Sequence, residues 1–176
     1  MTAPFLFRHL PRPEDALAVR DMVAATGFFS AEETDIAREL VDERLAKGES
    51  SGYFFVFADA PEDAPERGPA TALALAGYAC YGPTPGTDGV FDLYWICVAP
   101  SGQGKGLGKA LLSEAEARIR ELGGRKIVVE TSSRELYAGT RAFYEKRGYL
   151  AEARIADFYA PGDHKIIYTK TLGGKS

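Results

Sequence analysis

The stretch Trp95–Ala110 reads Trp-Ile-Cys-Val-Ala-Pro-Ser-Gly-Gln-Gly-Lys-Gly-Leu-Gly-Lys-Ala. An apolar run breaks at Pro100 and turns through Gly102, Gly104, Gly106 and Gly108. It continues as a helix with Leu107, Leu111, Ala115, Ile119 and Leu122 on one face. Gly123-Gly124 end that helix, and the β-branched run Lys126–Glu130 follows. With Val90–Ala99 as its first strand, this strand–helix–strand unit demands a parallel crossover. Its turn suits an anion. Glycines let backbone N–H groups come close to a ligand and adopt positive φ. A helix N-terminus adds unpaired donors and partial positive charge, and Lys105 and Lys109 add cations. A phosphate or pyrophosphate on Gln103–Lys109 is the expectation.

Two common phosphate motifs fit poorly. A P-loop needs Ser or Thr after Gly-Lys, and Ala110 follows Gly108-Lys109. A dinucleotide fold needs G-x-G-x-x-G after the first strand of a repeating βαβ pattern. The spacing from Gly102 to Gly108 differs, and the first half of the chain has no such repeat.

The remaining chain reads as β-α-α-β-β-β-α-β-α-β-β. Phe5–Phe7 is a short strand. Pro13 opens a helix carrying Leu17, Val19, Met22 and Val23, which stops near Gly27. Ser30 and Glu33 form a capping-box pattern for a second helix with Ile36, Leu40, Val41 and Leu45 at helical spacing. Gly48 ends it. Tyr53–Ala58 is a buried strand. Asp59–Ala70, with three prolines among acids, is an exposed loop. Thr71–Tyr81 and Val90–Ala99 flank a turn-rich segment and form an antiparallel pair. A helix over about Leu136–Lys146 stops at Gly148, and two strands, about Tyr149–Phe158 and Lys165–Thr171, surround Ala160-Pro-Gly-Asp163. The fold class is mixed α/β (α+β), one sheet with helices on both faces, in a single domain spanning residues 1–176.

The 176 residues are 45% hydrophobic and 26% charged, with net charge −4. That balance lacks the broad positive field of a nucleic-acid binder. No run approaches the roughly 20 apolar residues of a membrane span, and Met1–Arg8 has no signal-peptide pattern, so a cytoplasmic protein is expected. Cys80 and Cys97 lie in apolar strands and read as buried free thiols. His9 and His164 have no ligand spacing, so no metal site is expected.

Gln103-Gly-Lys-Gly-Leu-Gly108 resembles the Q/R-x-x-G-x-G/A pyrophosphate signature of the GNAT superfamily of acyl-CoA-dependent N-acyltransferases. Arg141-Ala-Phe-Tyr-Glu-Lys-Arg-Gly-Tyr149 resembles that family's second block. The two blocks lie about 40 residues apart with a strand between, and the element order matches over nearly the whole chain.

The resemblance implies a twisted, mostly antiparallel sheet with one splayed parallel strand pair. It implies acetyl-CoA as acyl donor, with the pantetheine arm on the backbone of Ile96, Cys97 and Val98. The pyrophosphate would lie on Gln103, Gly104, Lys105, Gly106, Leu107, Gly108 and Lys109. Tyr144 takes the position of the family's frequent general acid. Tyr137 stands near where many relatives place an Asn against the pantetheine arm, a departure that leaves its role open. Phe28 and Phe29 are either core residues or a wall of the acceptor pocket.

An acceptor amine must lose a proton before attacking a thioester, and a carboxylate takes it. Asp92 is the first candidate base and Glu130 the second. A backbone N–H at Val98 or beside it suits the oxyanion. The acceptor is a small-molecule or peptide amine, and relatives often form homodimers. A non-catalytic acyl-CoA-binding module on the same fold is the alternative.

Overall fold

The computed structural model describes residues 5–60 and 75–173. The elements run β1 (Leu6–Arg8), α1 (Asp15–Thr26), α2 (Ala31–Lys47), β2 (Phe54–Asp59), β3 (Leu75–Pro83), β4 (Val90–Val98), α3 (Leu107–Glu121), β5 (Lys126–Ser132), α4 (Ala138–Glu145), β6 (Leu150–Ala160) and β7 (Asp163–Thr171). This is the order expected from the sequence. The strands form one seven-stranded sheet in the order β1-β2-β3-β4-β5-β7-β6. β4 and β5 are parallel, while β1-β2, β2-β3, β5-β7 and β6-β7 are antiparallel. Most of the proline-bearing segment expected as a loop lies outside the described residues, as do residues 71–74 of the strand expected after it. Asp59, expected in that loop, instead ends β2 and is buried.

The described chain groups into two compact units, with β4 and α3 each contributing to both. The first covers Met1–Gly82 and Trp95–Arg118. In it, Phe55 pairs with Cys80 and Phe57 with Tyr78 across β2 and β3. Side chains alternate along a strand, so these four share one face, where they pack with Val19, Val23, Ala37 and Val41 of α1 and α2. Gly77 opens the other face. A Cβ there would lie 2.8 Å from Leu111 Cδ1 and 3.3 Å from Leu107 Cδ2, so α3 packs directly on β3. Helices therefore cover both faces here.

The helix ends follow from local chemistry. Ser30 and Glu33 make the capping box, each side chain taking the other's backbone N–H. Gly27 closes α1 at φ 72°. α1 starts at Asp15, after Pro13, because the wholly buried Asp15 carboxylate accepts the Arg12 N–H at 2.6 Å. The same carboxylate takes two bonds from the Arg8 guanidinium, which also donates to Asp59 at 2.8 Å. This ties β1, α1 and β2 together.

The helical stripes that reach the core are narrower than the apolar spacing predicts. α2 buries Thr34, Ala37, Val41 and Arg44, with Arg44 lying 4.8 Å over the Phe54 ring, whereas Ile36 and Leu45 are 41% and 38% exposed. One narrow seam of α2 meets the core, and the side chains flanking it reach solvent. Leu17 of α1 is exposed too, and Leu122, expected on the apolar face of α3, instead lies in the turn after that helix and is exposed.

The second unit covers Pro83–Tyr94 and Ile119–Ser176. The turn before β4 closes with Thr84 N–H donating to the Val90 carbonyl at 2.8 Å. β4 pairs with β5 over Val90–Asp92 and Lys126–Val128. That ladder stops at Asp92↔Val128, while β4 runs on to Val98 and β5 to Ser132, its other edge pairing with β7 throughout. β6 is the sheet edge, and every residue of it is exposed.

Candidate acyl-CoA site

The loop after β4 is built on backbone geometry. Ala99 N–H donates to the Ala76 carbonyl and Gly102 N–H to the Ala99 carbonyl, both at 2.8 Å. Gly102 is buried, and a Cβ on it would press to 3.1 Å from Val98 Cγ1. Gly104 and Gly106 then take φ 76° and 78°, and a Cβ added to either would meet no atom within 4 Å, so both glycines present open backbone. Gln103, Gly104, Lys105 and Gly106 are exposed, while Leu107 plugs the core beneath them. α3 makes its first turn bond from Ala110 N–H to the Gly106 carbonyl at 3.1 Å. The amides of Leu107, Gly108 and Lys109 precede that ladder, as first-turn donors do. The arrangement is a cradle of N–H groups on a helix N-terminus, with Lys105 and Lys109 beside it.

The end of β4 leads into this cradle. Ile96 and Val98 are half-buried and Cys97 is buried. Burial pushes the Cys97 thiol up to about 12, so the sulfur is a protonated core atom at neutral pH. The turn between α1 and α2 sets Phe29 against Trp95, ring centroids 4.9 Å apart, while Phe28 stays 40% exposed. In sequence Trp95 is one more apolar residue of the strand. Its partnership with Phe29 is a long-range contact with no local signal.

In the second unit the other candidates have separate partners. The Thr84 hydroxyl donates to the Asp92 carboxylate at 2.8 Å. Glu130 pairs with the Lys165 ammonium at 2.6 Å. Tyr137 ends a 3-10 turn, with the Arg134 guanidinium 5.6 Å over its ring. Tyr144 is 3% exposed. Asp92 is thus held by a hydroxyl, Glu130 by an ammonium and Tyr144 by burial.

The physical content of the block Phe143-Tyr-Glu-Lys-Arg-Gly-Tyr149 is a helix stop. Gly148 sits at φ 80°, Tyr149 N–H reaches back to the Tyr144 carbonyl at 3.1 Å, and the rings of Tyr144 and Tyr149 meet at 5.3 Å. That is a Schellman closure with its hydrophobic contact. The Tyr144 ring also lies 5.3 Å from Phe143 and 6.2 Å from Tyr168. Burial raises the Tyr144 phenol well above its ordinary value, so it remains a hydrogen-bond donor through neutral pH.

The sequence profile of the Acetyltransferase (GNAT) family matches residues 18–149. The chain belongs to that family. A GNAT-family protein from Desulfovibrio desulfuricans is 50% identical, with 96% of this chain and 99% of that one covered at a TM-score of 0.88. An aminoglycoside 6'-N-acetyltransferase complexed with coenzyme A shares the fold at 18% identity, TM-score 0.71, covering 97% of this chain and 99% of that one. The yncA protein of Salmonella typhimurium with acetyl-CoA does so at 18% identity and TM-score 0.70, covering 99% and 97%. No curated protein matches the sequence. Among the described residues of this GNAT chain, no three His, Cys, Asp or Glu side chains group as a metal site, and no helix is long and apolar enough to cross a membrane.

Proposed function

We propose that this chain transfers an acetyl group from acetyl-CoA to a primary amine by direct attack in a ternary complex. The observation that carries the reading is the open Gly104–Gly106 backbone at the N-terminus of α3, directly after the end of β4. The amides of Gln103–Lys109 hold the pyrophosphate, with Lys105 and Lys109 neutralising its charge. Ile96, Cys97 and Val98 offer backbone to the pantetheine arm, and a main-chain N–H at Val98 takes the developing oxyanion. Phe28 and Phe29 wall the acceptor side, and Tyr137 lies along the pantetheine arm.

Asp92 accepts the proton of the attacking amine, directly or through water. Asp92 stands ahead of Glu130 in this reading because its partner is the neutral Thr84 hydroxyl, whereas the Glu130 carboxylate is engaged by the Lys165 ammonium. Tyr144 donates to the departing thiolate. Cys97, buried and protonated, favours direct attack over an acetyl-cysteine intermediate.

A panel of amines with acetyl-CoA, read by free-thiol release and product mass, tests the reaction. Amine-dependent thiol release with a product heavier by one acetyl group is the expected result. Saturable acetyl-CoA binding with no acceptor acetylated across the panel overturns catalysis in favour of a binding module.

A further inference from the structure

The turn between β3 and β4 is braced by its own bonds and by the segment that leads into β5. Thr84 N–H donates to the Val90 carbonyl at 2.8 Å, and the Thr87 hydroxyl donates to the Thr84 carbonyl at 2.7 Å. The Gly89 carbonyl accepts the Arg125 and Lys126 amides at 2.7 and 3.2 Å, and the Arg125 guanidinium donates to the Asp88 carbonyl at 2.6 Å. Gly89 takes φ 67°, and a Cβ on it would lie 3.0 Å from the Gly123 carbonyl oxygen, so the two segments are in direct contact.

Thr84 is thereby fixed through both its backbone N–H and its carbonyl. Its hydroxyl donates to Asp92 Oδ2 at 2.8 Å. Both residues are half-buried, so water competes less for this bond than on an open surface. The other carboxylate oxygen, Oδ1, takes no bond among the described residues. Asp92 also forms the last rung of the parallel β4–β5 ladder, opposite Val128. It therefore stands where the two strands stop pairing, with one carboxylate oxygen held and one open. The turn is already closed without the bond to Asp92, so that bond serves the carboxylate. An unheld aspartate turns among its rotamers. A base acts only when its oxygen lies within hydrogen-bond reach of the proton it removes.

We infer that Thr84 is a positioning residue for the acetyl transfer, its hydroxyl holding Oδ2 so that Oδ1 is the atom that takes the proton of the attacking amine. The inference rests on the reading of Asp92 as the base and adds to it the accepting atom and the residue that aims it. The amine nitrogen bonds to the acetyl carbon and gives its proton to Oδ1. The carbon–sulfur bond breaks, its electron pair stays on sulfur, and CoA leaves.

The test is a double-mutant cycle. Initial rates of CoA release from acetyl-CoA are measured with n-butylamine, 1,4-diaminobutane and L-lysine, and kcat is taken on the amine that wild type acetylates fastest. The proteins are wild type, Thr84→Val, Thr84→Ser, Asp92→Asn and the double variant Thr84→Val/Asp92→Asn. Valine keeps the branched shape and the backbone bonds and removes only the hydroxyl, while serine keeps the hydroxyl. Thr84→Val is expected to lower kcat about 10- to 100-fold, with the KM for acetyl-CoA unchanged, and Thr84→Ser to keep most of the turnover. In the Asp92→Asn background the valine change is expected to have no effect, because Thr84 acts through Asp92. Equal losses in the two backgrounds, full turnover in Thr84→Val, or a serine variant as slow as the valine variant overturns the inference. Full turnover in Asp92→Asn instead overturns the base reading on which it rests.

Discussion

The Thr84 hydroxyl donates to the Asp92 carboxylate at 2.8 Å, fastening the start of the turn to β4. The bond orients Asp92 without placing a cation on it, whereas Glu130 shares its charge with Lys165. Asp92→Asn is therefore expected to lower kcat about 100-fold or more, within the range of general-base loss, with the KM for acetyl-CoA unchanged. Glu130→Gln is expected to act on the amine KM and leave kcat within a few-fold of wild type. Initial rates at saturating and subsaturating amine separate the two, because only the loss of the base lowers kcat.

Tyr144 is anchored by its own helix stop. Tyr144→Phe keeps the ring contacts with Phe143, Tyr149 and Tyr168 and removes only the phenolic oxygen. Turnover is expected to fall about 10- to 100-fold while calorimetric affinity for acetyl-CoA stays the same. Unchanged turnover would remove Tyr144 from the proton chemistry.

The contact of α3 with β3 depends on Gly77. A methyl there would lie 2.8 Å from Leu111 Cδ1 and 2.9 Å from the Cys97 carbonyl oxygen. The leucine can move, but the carbonyl belongs to β4 and cannot do so cheaply. Gly77→Ala is expected to cost about 1–3 kcal/mol and to loosen acetyl-CoA binding by shifting β4. Thermal unfolding, read with the acetyl-CoA titration of the same variant, checks both effects.

Cys97 and Cys80 are buried free thiols, and burial raises both. At pH 8 a thiol near 12 is ionised in roughly one molecule in ten thousand, so native protein is expected to resist iodoacetamide. The linkage has one sign. Folded-state values above the ordinary thiol range give stability that is complete below about pH 9 and is lost as pH rises through the folded values. Alkylation of unfolded protein, against protection of the native chain followed by mass, measures this directly.

The cradle is legible in the sequence because its signal is local. Glycines at fixed spacing, two lysines and a helix period all lie within about twenty residues. The capping box at Ser30 and Glu33 and the stop at Gly148 are local as well, and both appear in the fold. The buried seam of α2 is not legible, since Thr34 and Arg44 are polar and their burial is set by Phe54 and the sheet beneath. The Phe29–Trp95 contact joins residues far apart in sequence. The positive φ of 51° at Asp157, in β6, has no sequence marker either, because it depends on bonds to His164 and Gly162, and no glycine stands at the place itself.

The central claim is that Gln103–Lys109 holds the pyrophosphate of an acyl-CoA. Calorimetric titration of acetyl-CoA into wild type and Gly106→Val tests it most directly, because valine is strained at φ 78° and its side chain occupies the open backbone. Saturable binding to wild type, weakened at least about 10-fold in the variant and stronger than binding of ATP or NAD, is the expected result. Equal affinity in the two proteins, or tighter binding of ATP or NAD than of acetyl-CoA, would contradict it.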